Sequence, residues 1–276
     1  MDVLITVDEL SAAMNSSTPP VLLDVRWSLN GPDGHEEYLK GHIPGAVFVD
    51  LDTELSSITT PDKGRHPLPS PEQLQAAARR WGINEGSTVV AYDGFGNLIS
   101  ARAWWLLKWA GFTNVQLLDG ALPAWIAAGL PVATDEVQPT PGTVELSSGL
   151  VRTVELAEVE DFTQRGLLLD AREPERFRGE HEPVDPKSGH IPGARSAPTR
   201  ENLDSEGRFL SPDELRSRFA ALKITGARPV GVYCGSGVTA AHAIAALEIA
   251  GGYKTVLYPG SWSEWSNHDL PVATGI

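Results

Sequence analysis

The hexapeptide Gly41-His42-Ile43-Pro44-Gly45-Ala46 occurs a second time, without change, at residues 189–194. Three further blocks recur in the same order, at an offset that stays between 140 and 148 residues. They are residues 22–26 and 168–172, residues 118–125 and 258–265, and residues 130–134 and 270–274. Four blocks in register predict two copies of one domain. We expect these domains at residues 1–138 and 151–276, joined by a linker over residues 139–150, in a stretch rich in Pro, Thr, Ser and Gly.

Each copy alternates short apolar runs with helical patterns. The predicted strands are residues 21–24, 88–92 and 115–118 in the first copy and residues 167–170, 229–233 and 255–257 in the second. Ser70 and Ser211 each precede a proline and open a predicted helix, because Ser is a good N-cap and Pro fits the first helical position. The alternation predicts an α/β fold in which each domain is a parallel sheet with helices on both faces.

The composition excludes several classes of protein. The formal charge of −14 argues against nucleic-acid binding, which needs a basic surface. No apolar stretch approaches the roughly 18 residues of a membrane-spanning helix, and the acidic N-terminal segment is unlike a signal peptide. A single cysteine excludes an internal disulfide and any multi-cysteine metal site. We therefore expect a cytoplasmic protein that acts without a metal, a membrane or nucleic acid.

The candidate chemical centre is Cys234, the one cysteine of the chain. It follows an apolar strand and precedes a Gly-x-Gly loop and an Ala-rich helix predicted from about Val238. In α/β folds, ligands bind where strands end and helices begin. The glycines Gly235 and Gly237 let successive backbone N–H groups point inward, so this loop can hold a thiolate or another anion. The pattern favours a reactive cysteine over a buried inert one.

Comparison of the two copies separates shared residues from unshared ones. Asp93 stands in the first copy where Cys234 stands in the second. An aspartate can be satisfied by a ring of amides but has no thiol with which to act as Cys234 would, so the first domain is predicted to be catalytically silent. His42 and His190 occur in both copies, whereas the cysteine occurs in one. We therefore interpret both histidines as structural residues that brace a turn.

The repeat, the two hexapeptides and the sequence Cys-Gly-Ser-Gly-Val-Thr-Ala at residues 234–240 resemble the two-domain rhodanese sulfurtransferases over nearly the whole chain. The resemblance implies transfer of sulfur from 3-mercaptopyruvate or thiosulfate, both small anions, through a persulfide on Cys234. It also implies a thiol or cyanide as acceptor, a thioredoxin-like protein among the thiols, and no cofactor. Backbone amides from Gly235 to Thr239, including those of Gly237 and Val238, would hold the persulfide.

The residues after the cysteine, Gly235 and Ser236, are uncharged. In this the loop resembles that of the mercaptopyruvate enzymes, whereas thiosulfate enzymes usually carry basic residues there. Ser236 would then protonate the departing enolate. By the same resemblance, Asp52 would orient Ser236 and His66 would lie near the site. The alternative for Asp52 and His66 is a pair of loop residues with ordinary hydrogen bonds, since a site assignment needs geometry.

Donor binding requires cations, and arginine suits a carboxylate because its fork binds two oxygens. Arg176 matches the substrate arginine of the family. Arg172 is a second candidate, with an ion pair to Asp170 or Glu173 as its alternative. Mercaptopyruvate enzymes often have another arginine nine residues after the first, and this chain has Asp185 there.

Two other functions compete with sulfur transfer by an enzyme. A cysteine-dependent phosphatase needs an arginine at the end of the loop, and the sixth residue after Cys234 is Ala240. A non-catalytic persulfide carrier or scaffold is compatible with the sequence. Activity with the two donors would separate the carrier from the enzyme.

Overall fold

The computed structural model describes residues 2–147 and 149–276. The chain forms two compact units. Among the described residues, unit 1 contains residues 2–57, 69–147, 149–151 and 205–209. Unit 2 contains residues 58–68, 152–204 and 210–276. The units therefore do not follow the chain order strictly. Residues 58–68 lie within the first copy of the repeat but pack with the second, which matters for the site described below.

Unit 1 is built on a five-stranded parallel sheet with strand order β1-β5-β4-β2-β3. The strands are β1 (Leu4–Ile5), β2 (Val21–Arg26), β3 (Val47–Asp50), β4 (Val89–Tyr92) and β5 (Val115–Leu118). The helices are α1 (Val7–Met14), α2 (Gly34–Lys40), α3 (Leu51–Glu54), α4 (Pro71–Arg80), α5 (Ala101–Trp109) and α6 (Ala121–Ala127). Every residue of β4 is buried, so both faces of the sheet are covered at its centre.

Unit 2 has a four-stranded parallel sheet with strand order β7-β6-β8-β9. The strands are β6 (Leu167–Asp170), β7 (Arg195–Ser196), β8 (Val230–Tyr233) and β9 (Thr255–Leu257). The helices are α7 (Val159–Arg165), α8 (Pro174–Arg178), α9 (Pro212–Ala221), α10 (Thr239–Ala250) and α11 (Ser261–Trp265). Short 3₁₀ helices cover Pro61–Lys63, Leu156–Glu158 and Thr199–Asn202. The predicted α/β fold with parallel sheets is confirmed in both units.

The strand and helix predictions hold to within about two residues. Ser70 and Ser211 cap α4 and α9, and in each case the third helical residue, Gln73 or Glu214, bonds back to the cap. The Ala-rich helix α10 begins at Thr239 with Val238 as its N-cap residue, close to the predicted start. These features depend on residues that are neighbours in the chain, which is why sequence patterns find them.

The repeated hexapeptide forms the same turn in both units. Ile43 O accepts from Ala46 N at 2.9 Å, and Ile191 O accepts from Ala194 N at 3.0 Å. The third residue of each turn, Gly45 or Gly193, has φ near +80°, which glycine adopts without strain. The repeated sequence Ile-Pro-Gly-Ala is therefore explained by the tight turn that it forms, without a catalytic role.

The two repeated histidines are structural, as predicted. His42 stacks on Tyr38 with 3.9 Å between ring centroids, and its Nδ1 lies 3.0 Å from the Tyr38 carbonyl oxygen. His190 stacks on Phe177 at 3.7 Å, and its Nδ1 lies 2.8 Å from the Phe177 carbonyl oxygen. Each ring thus braces the helix that precedes its turn.

The segment predicted as a linker is bound to unit 1. Gly142, Val144 and Ser147 donate their N–H groups to the carbonyl oxygens of Arg79, Ile83 and Ala110. Val144 is buried. Along the described residues, no helix has both the length and the apolar character needed to cross a membrane.

Candidate active site

The loop after β8 holds Cys234 in a buried position. Cys234 is 2% exposed, and its Sγ accepts the Gly237 N–H at 3.1 Å. Gly237 has φ of +79°, and a Cβ there would lie 2.4 Å from the Pro259 carbonyl oxygen. Glycine is therefore required at this position. The bond to sulfur shows that the loop directs at least one backbone donor at Cys234, as an anion-holding loop must.

The start of α11 fixes this loop from the other side. Ser261 Oγ accepts the Cys234 N–H at 3.2 Å and donates to the Tyr258 carbonyl oxygen at 2.9 Å. The carbonyl oxygens of Cys234 and Gly235 accept from Trp262 N at 3.0 Å and Ser263 N at 2.8 Å. The cysteine backbone is thus held rigidly, which favours a precisely placed nucleophile.

The matching loop of unit 1 shows what such a loop binds. The carboxylate of Asp93 accepts four backbone N–H groups at 2.7–3.0 Å. They come from Phe95, Asn97, Ile99 and Ser100. A ring of backbone amides therefore surrounds this acidic side chain, as the sequence comparison predicted. The roles of Gly235, Val238 and Thr239 in holding a persulfide stay predictions, as does the silence of the first domain.

Ser236 and His66 form a buried pair in unit 2. His66 Nδ1 lies 2.7 Å from Ser236 Oγ, and the two residues are 4% and 7% exposed. His66 reaches this position because residues 58–68 belong to unit 2. A hydroxyl that is hydrogen-bonded to an imidazole can pass a proton to or from a reacting group. Ser236 lies two residues after Cys234, so this pair could serve a reaction at the cysteine.

Asp52 lies in unit 1, at the start of α3, where its Oδ2 accepts from Trp27 Nε1 at 3.2 Å. Its suggested action on Ser236 stays a prediction.

Arg172 occupies the ion pair that was its alternative role. Its Nη2 donates to Asp170 Oδ2 and to the Gly189 carbonyl oxygen, both at 2.6 Å, and its Nη1 lies 3.3 Å from Glu182 Oε2. Burial opposes the charge of Arg172, but Asp170 outweighs burial and raises the pKa of the guanidinium. The guanidinium also lies over the Trp262 ring at 4.6 Å. These contacts favour a structural role.

Unit 1 repeats this arrangement without a cysteine. Arg26 donates to the carboxylate of Asp24 and to the Gly41 carbonyl oxygen, at 2.8 and 2.9 Å from its Nη2. A shared brace does not account for an unshared activity. We therefore interpret Arg172, like Arg26, as the residue that ties the strand end to the repeated hexapeptide.

Replacing Arg172 by methionine is expected to lower the free energy of unfolding of unit 2 by about 3–5 kcal/mol, because buried Asp170 would lose its ion-pair partner and Glu182 would keep only Arg176. Urea unfolding followed by tryptophan fluorescence would measure the change. Arg178→Met is the control, since the ion pair of Arg178 with Glu180 is exposed and such pairs contribute about 1 kcal/mol or less. Equal stability of the two variants would contradict the structural role of Arg172.

Arg176 lies beside the loop that holds Cys234. A Cβ placed on Gly235 would be 3.5 Å from Arg176 Nη1. Arg176 Nη2 donates to Glu182 Oε1 at 2.7 Å and lies 3.3 Å from Asp185 Oδ2. Burial raises the pKa of Glu182, but the hydrogen bond and charge of Arg176 outweigh it and hold that pKa below its usual value.

A second arginine at the loop was missed by the sequence analysis. Arg65 Nη2 would lie 3.0 Å from a Cβ on Gly235, and Arg65 also forms an ion pair with Asp185. The loop residues Gly235 and Ser236 are uncharged, as the sequence indicated, but two arginines that are distant in the chain lie beside them. Arg65 precedes His66 in the chain, but no local sequence pattern shows that this segment belongs to unit 2.

Two further residues, Lys187 and Ala240, take no part in the contacts described above. Lys187 donates to the carbonyl oxygens of His268 and Leu270 at 2.6 and 3.4 Å. Ala240, the sixth residue after Cys234, is buried in the first turn of α10. The position at which phosphatase chemistry needs an arginine therefore holds a methyl group.

The Rhodanese-like domain family model matches residues 6–128 and 155–268. This chain belongs to the rhodanese family. Its two matches cover both units and include Asp93 in the first and Cys234 in the second. The family is therefore present as a tandem pair, as the repeat predicted.

Two relatives and one solved structure are similar over nearly the whole chain. A Mycobacterium tuberculosis protein, provisionally named thiosulfate sulfurtransferase SseB, is 48% identical over 281 residues, which cover 99% of this chain and 97% of that protein. A Pseudomonas aeruginosa protein, provisionally named 3-mercaptopyruvate sulfurtransferase, is 46% identical over 282 residues, with 99% and 98% covered. The crystal structure of SseA from Escherichia coli, described with 3-mercaptopyruvate sulfotransferases, matches with a TM-score of 0.84 and 31% identity, covering 95% of this chain and 99% of that one. The names of the two relatives differ in the donor.

Proposed function

We propose that this rhodanese is a sulfurtransferase that takes sulfur from 3-mercaptopyruvate onto Cys234 and passes it to a thiol or to cyanide. The observation that carries the choice of donor is the 2.7 Å contact between Ser236 Oγ and His66 Nδ1, beside the loop that holds the cysteine. A carbon leaving group needs a proton, whereas sulfite does not. A buried hydroxyl–imidazole pair is therefore useful for mercaptopyruvate and superfluous for thiosulfate.

The transfer has two halves. In the first, the Cys234 thiolate attacks the sulfur of mercaptopyruvate, the carbon–sulfur bond breaks, and its electron pair passes to the carbon as the enolate of pyruvate. The proton of the donor thiol, relayed through Ser236 and His66, ends on that carbon. Cys234 is left as a persulfide anion, which the loop amides stabilise. In the second half, an acceptor thiolate or cyanide attacks the outer sulfur and releases the Cys234 thiolate.

The proposal is tested by kcat/KM for each donor on one preparation, with cyanide as acceptor and thiocyanate as product. We expect mercaptopyruvate to give the larger value. A larger value with thiosulfate would contradict the donor assignment. No thiocyanate with either donor would contradict the enzyme and favour a non-catalytic persulfide carrier.

Arg176 is proposed to bind the carboxylate of the donor. Arg176→Gln should raise KM for mercaptopyruvate by about tenfold or more, because a guanidinium–carboxylate contact is lost from a partly buried position. Arg178→Gln is the matched control on the same helix, since Arg178 pairs with exposed Glu180. Equal KM values for the two variants would exclude Arg176 from donor binding.

The physiological acceptor is proposed to be a thiol, with a thioredoxin-like protein as one candidate. A cytoplasmic location, which the sequence composition favours, is proposed together with it.

A further inference from the structure

The ion pairs beside the reactive loop form one cluster in unit 2. We call it the arginine–carboxylate cluster, and it consists of Arg65, Arg172, Arg176, Asp170, Glu182 and Asp185. It contains as many carboxylates as guanidinium groups, so its formal charge is zero. The three arginines therefore give the cluster no net positive charge with which to attract a donor.

The members of this cluster differ in how they face solvent. The side chains of Arg65 and Arg176 are 26% and 18% exposed, whereas those of Glu182 and Asp185 are 1% and 3% exposed. Both of these partly exposed arginines also reach Gly235, the residue after Cys234. A donor that arrives at Cys234 therefore meets two guanidinium groups with buried carboxylates behind them.

Asp185 bridges these two arginines. Its Oδ1 pairs with Arg65 Nη1, and its Oδ2 lies 3.3 Å from Arg176 Nη2. Burial raises the pKa of Asp185, while the charges of Arg65 and Arg176 oppose this rise. One carboxylate thus positions both cations and cancels part of their charge.

We propose that Arg65 and Arg176 together bind the anionic group of the donor, and that Asp185 restricts this pair to singly charged donors. The inference rests on the sulfurtransferase function proposed above and adds the residue that selects the donor. At neutral pH, mercaptopyruvate carries one charge and thiosulfate carries two. A neutral cluster can place two guanidinium groups around one carboxylate, but it offers a second negative charge no net attraction.

Asp185→Asn should therefore change the choice of donor. The variant gives the cluster one net positive charge, which attracts a dianion about twice as strongly as a monoanion. We expect the ratio of kcat/KM for thiosulfate to kcat/KM for mercaptopyruvate to rise by about tenfold. Glu180→Gln is the matched control, because it removes a negative charge from the exposed pair with Arg178 and should leave the ratio within about twofold.

A second variant separates charge from positioning. Arg65→Gln should lower the ratio, and the double variant Arg65→Gln/Asp185→Asn, which is neutral again, should return it towards the wild-type value. If Asp185 acts only by holding the loop in place, both donors lose activity in Asp185→Asn and the double variant restores neither. That result, or an unchanged ratio in an active Asp185→Asn protein, would overturn the inference. Inactivity of the wild-type protein with both donors would instead overturn the proposed function.

Discussion

Replacing Cys234 by serine is expected to abolish sulfur transfer from either donor, with a loss on the order of 10³-fold or more. The physical reason is that the serine oxygen cannot form the sulfur–sulfur bond on which both halves of the reaction depend. The loop should keep its shape, because a serine oxygen can accept the Gly237 N–H in place of Sγ, and because Ser261 holds the backbone of residue 234 rather than its side chain.

Two measurements check this prediction. Thiocyanate formation gives the rate, and the intact mass of the protein after incubation with donor shows whether one sulfur atom has been gained. The thermal midpoint of the variant controls for folding. A serine variant that keeps the wild-type rate, or that still gains sulfur, would show that the persulfide is not on Cys234.

Ser236→Ala is expected to have the second largest effect, and the effect should depend on the donor. Loss of a positioned proton donor should lower kcat with mercaptopyruvate by a factor between about 10² and 10⁴. With thiosulfate the leaving group is sulfite, which needs no proton, so the rate should change by no more than about threefold on the same argument. The thiosulfate reaction of the same variant is therefore an internal control for the fold of the loop.

His66→Ala should produce the same selective loss. Because Ser236 and His66 are in direct contact, their effects should not add, and the double variant should be about as slow as either single variant. An equal loss with both donors would mean that the pair supports the loop instead of moving a proton.

Much of the fold follows from residues that are close in the chain. The strands before Asp93 and Cys234, the caps of α4 and α9, and the turn made by the repeated hexapeptide are each set by sterics and hydrogen bonds within a few residues. The repeat made the tandem arrangement visible, and the glycines around Cys234 made the anion-holding loop visible. For this reason the sequence predicted the fold class and the nucleophile.

The roles of the arginines could not be predicted from residues that are close in the chain. The sequence placed Arg172 and Arg176 near the site but could not distinguish a brace from a donor contact. In the structure their surroundings differ, because Arg172 is enclosed by Asp170, Glu182 and a carbonyl oxygen, whereas Arg176 reaches Gly235, and this difference supports the roles proposed for them. The distinction depends on which groups surround each guanidinium, and several of these groups are distant in the chain.

The repeat, the α/β class, the candidate nucleophile Cys234 and the aspartate that replaces it in the first copy could all be predicted from the sequence alone. Only the tertiary structure brought Arg65 and His66 to the second unit, where His66 meets a serine 170 positions away in the chain. Only the tertiary structure showed that Asp185, which stands where a second arginine was expected, bridges two cations. Local patterns record the conformations available to neighbouring residues, but contacts over such separations form only when unit 2 folds as a whole, so no spacing in the sequence reports them.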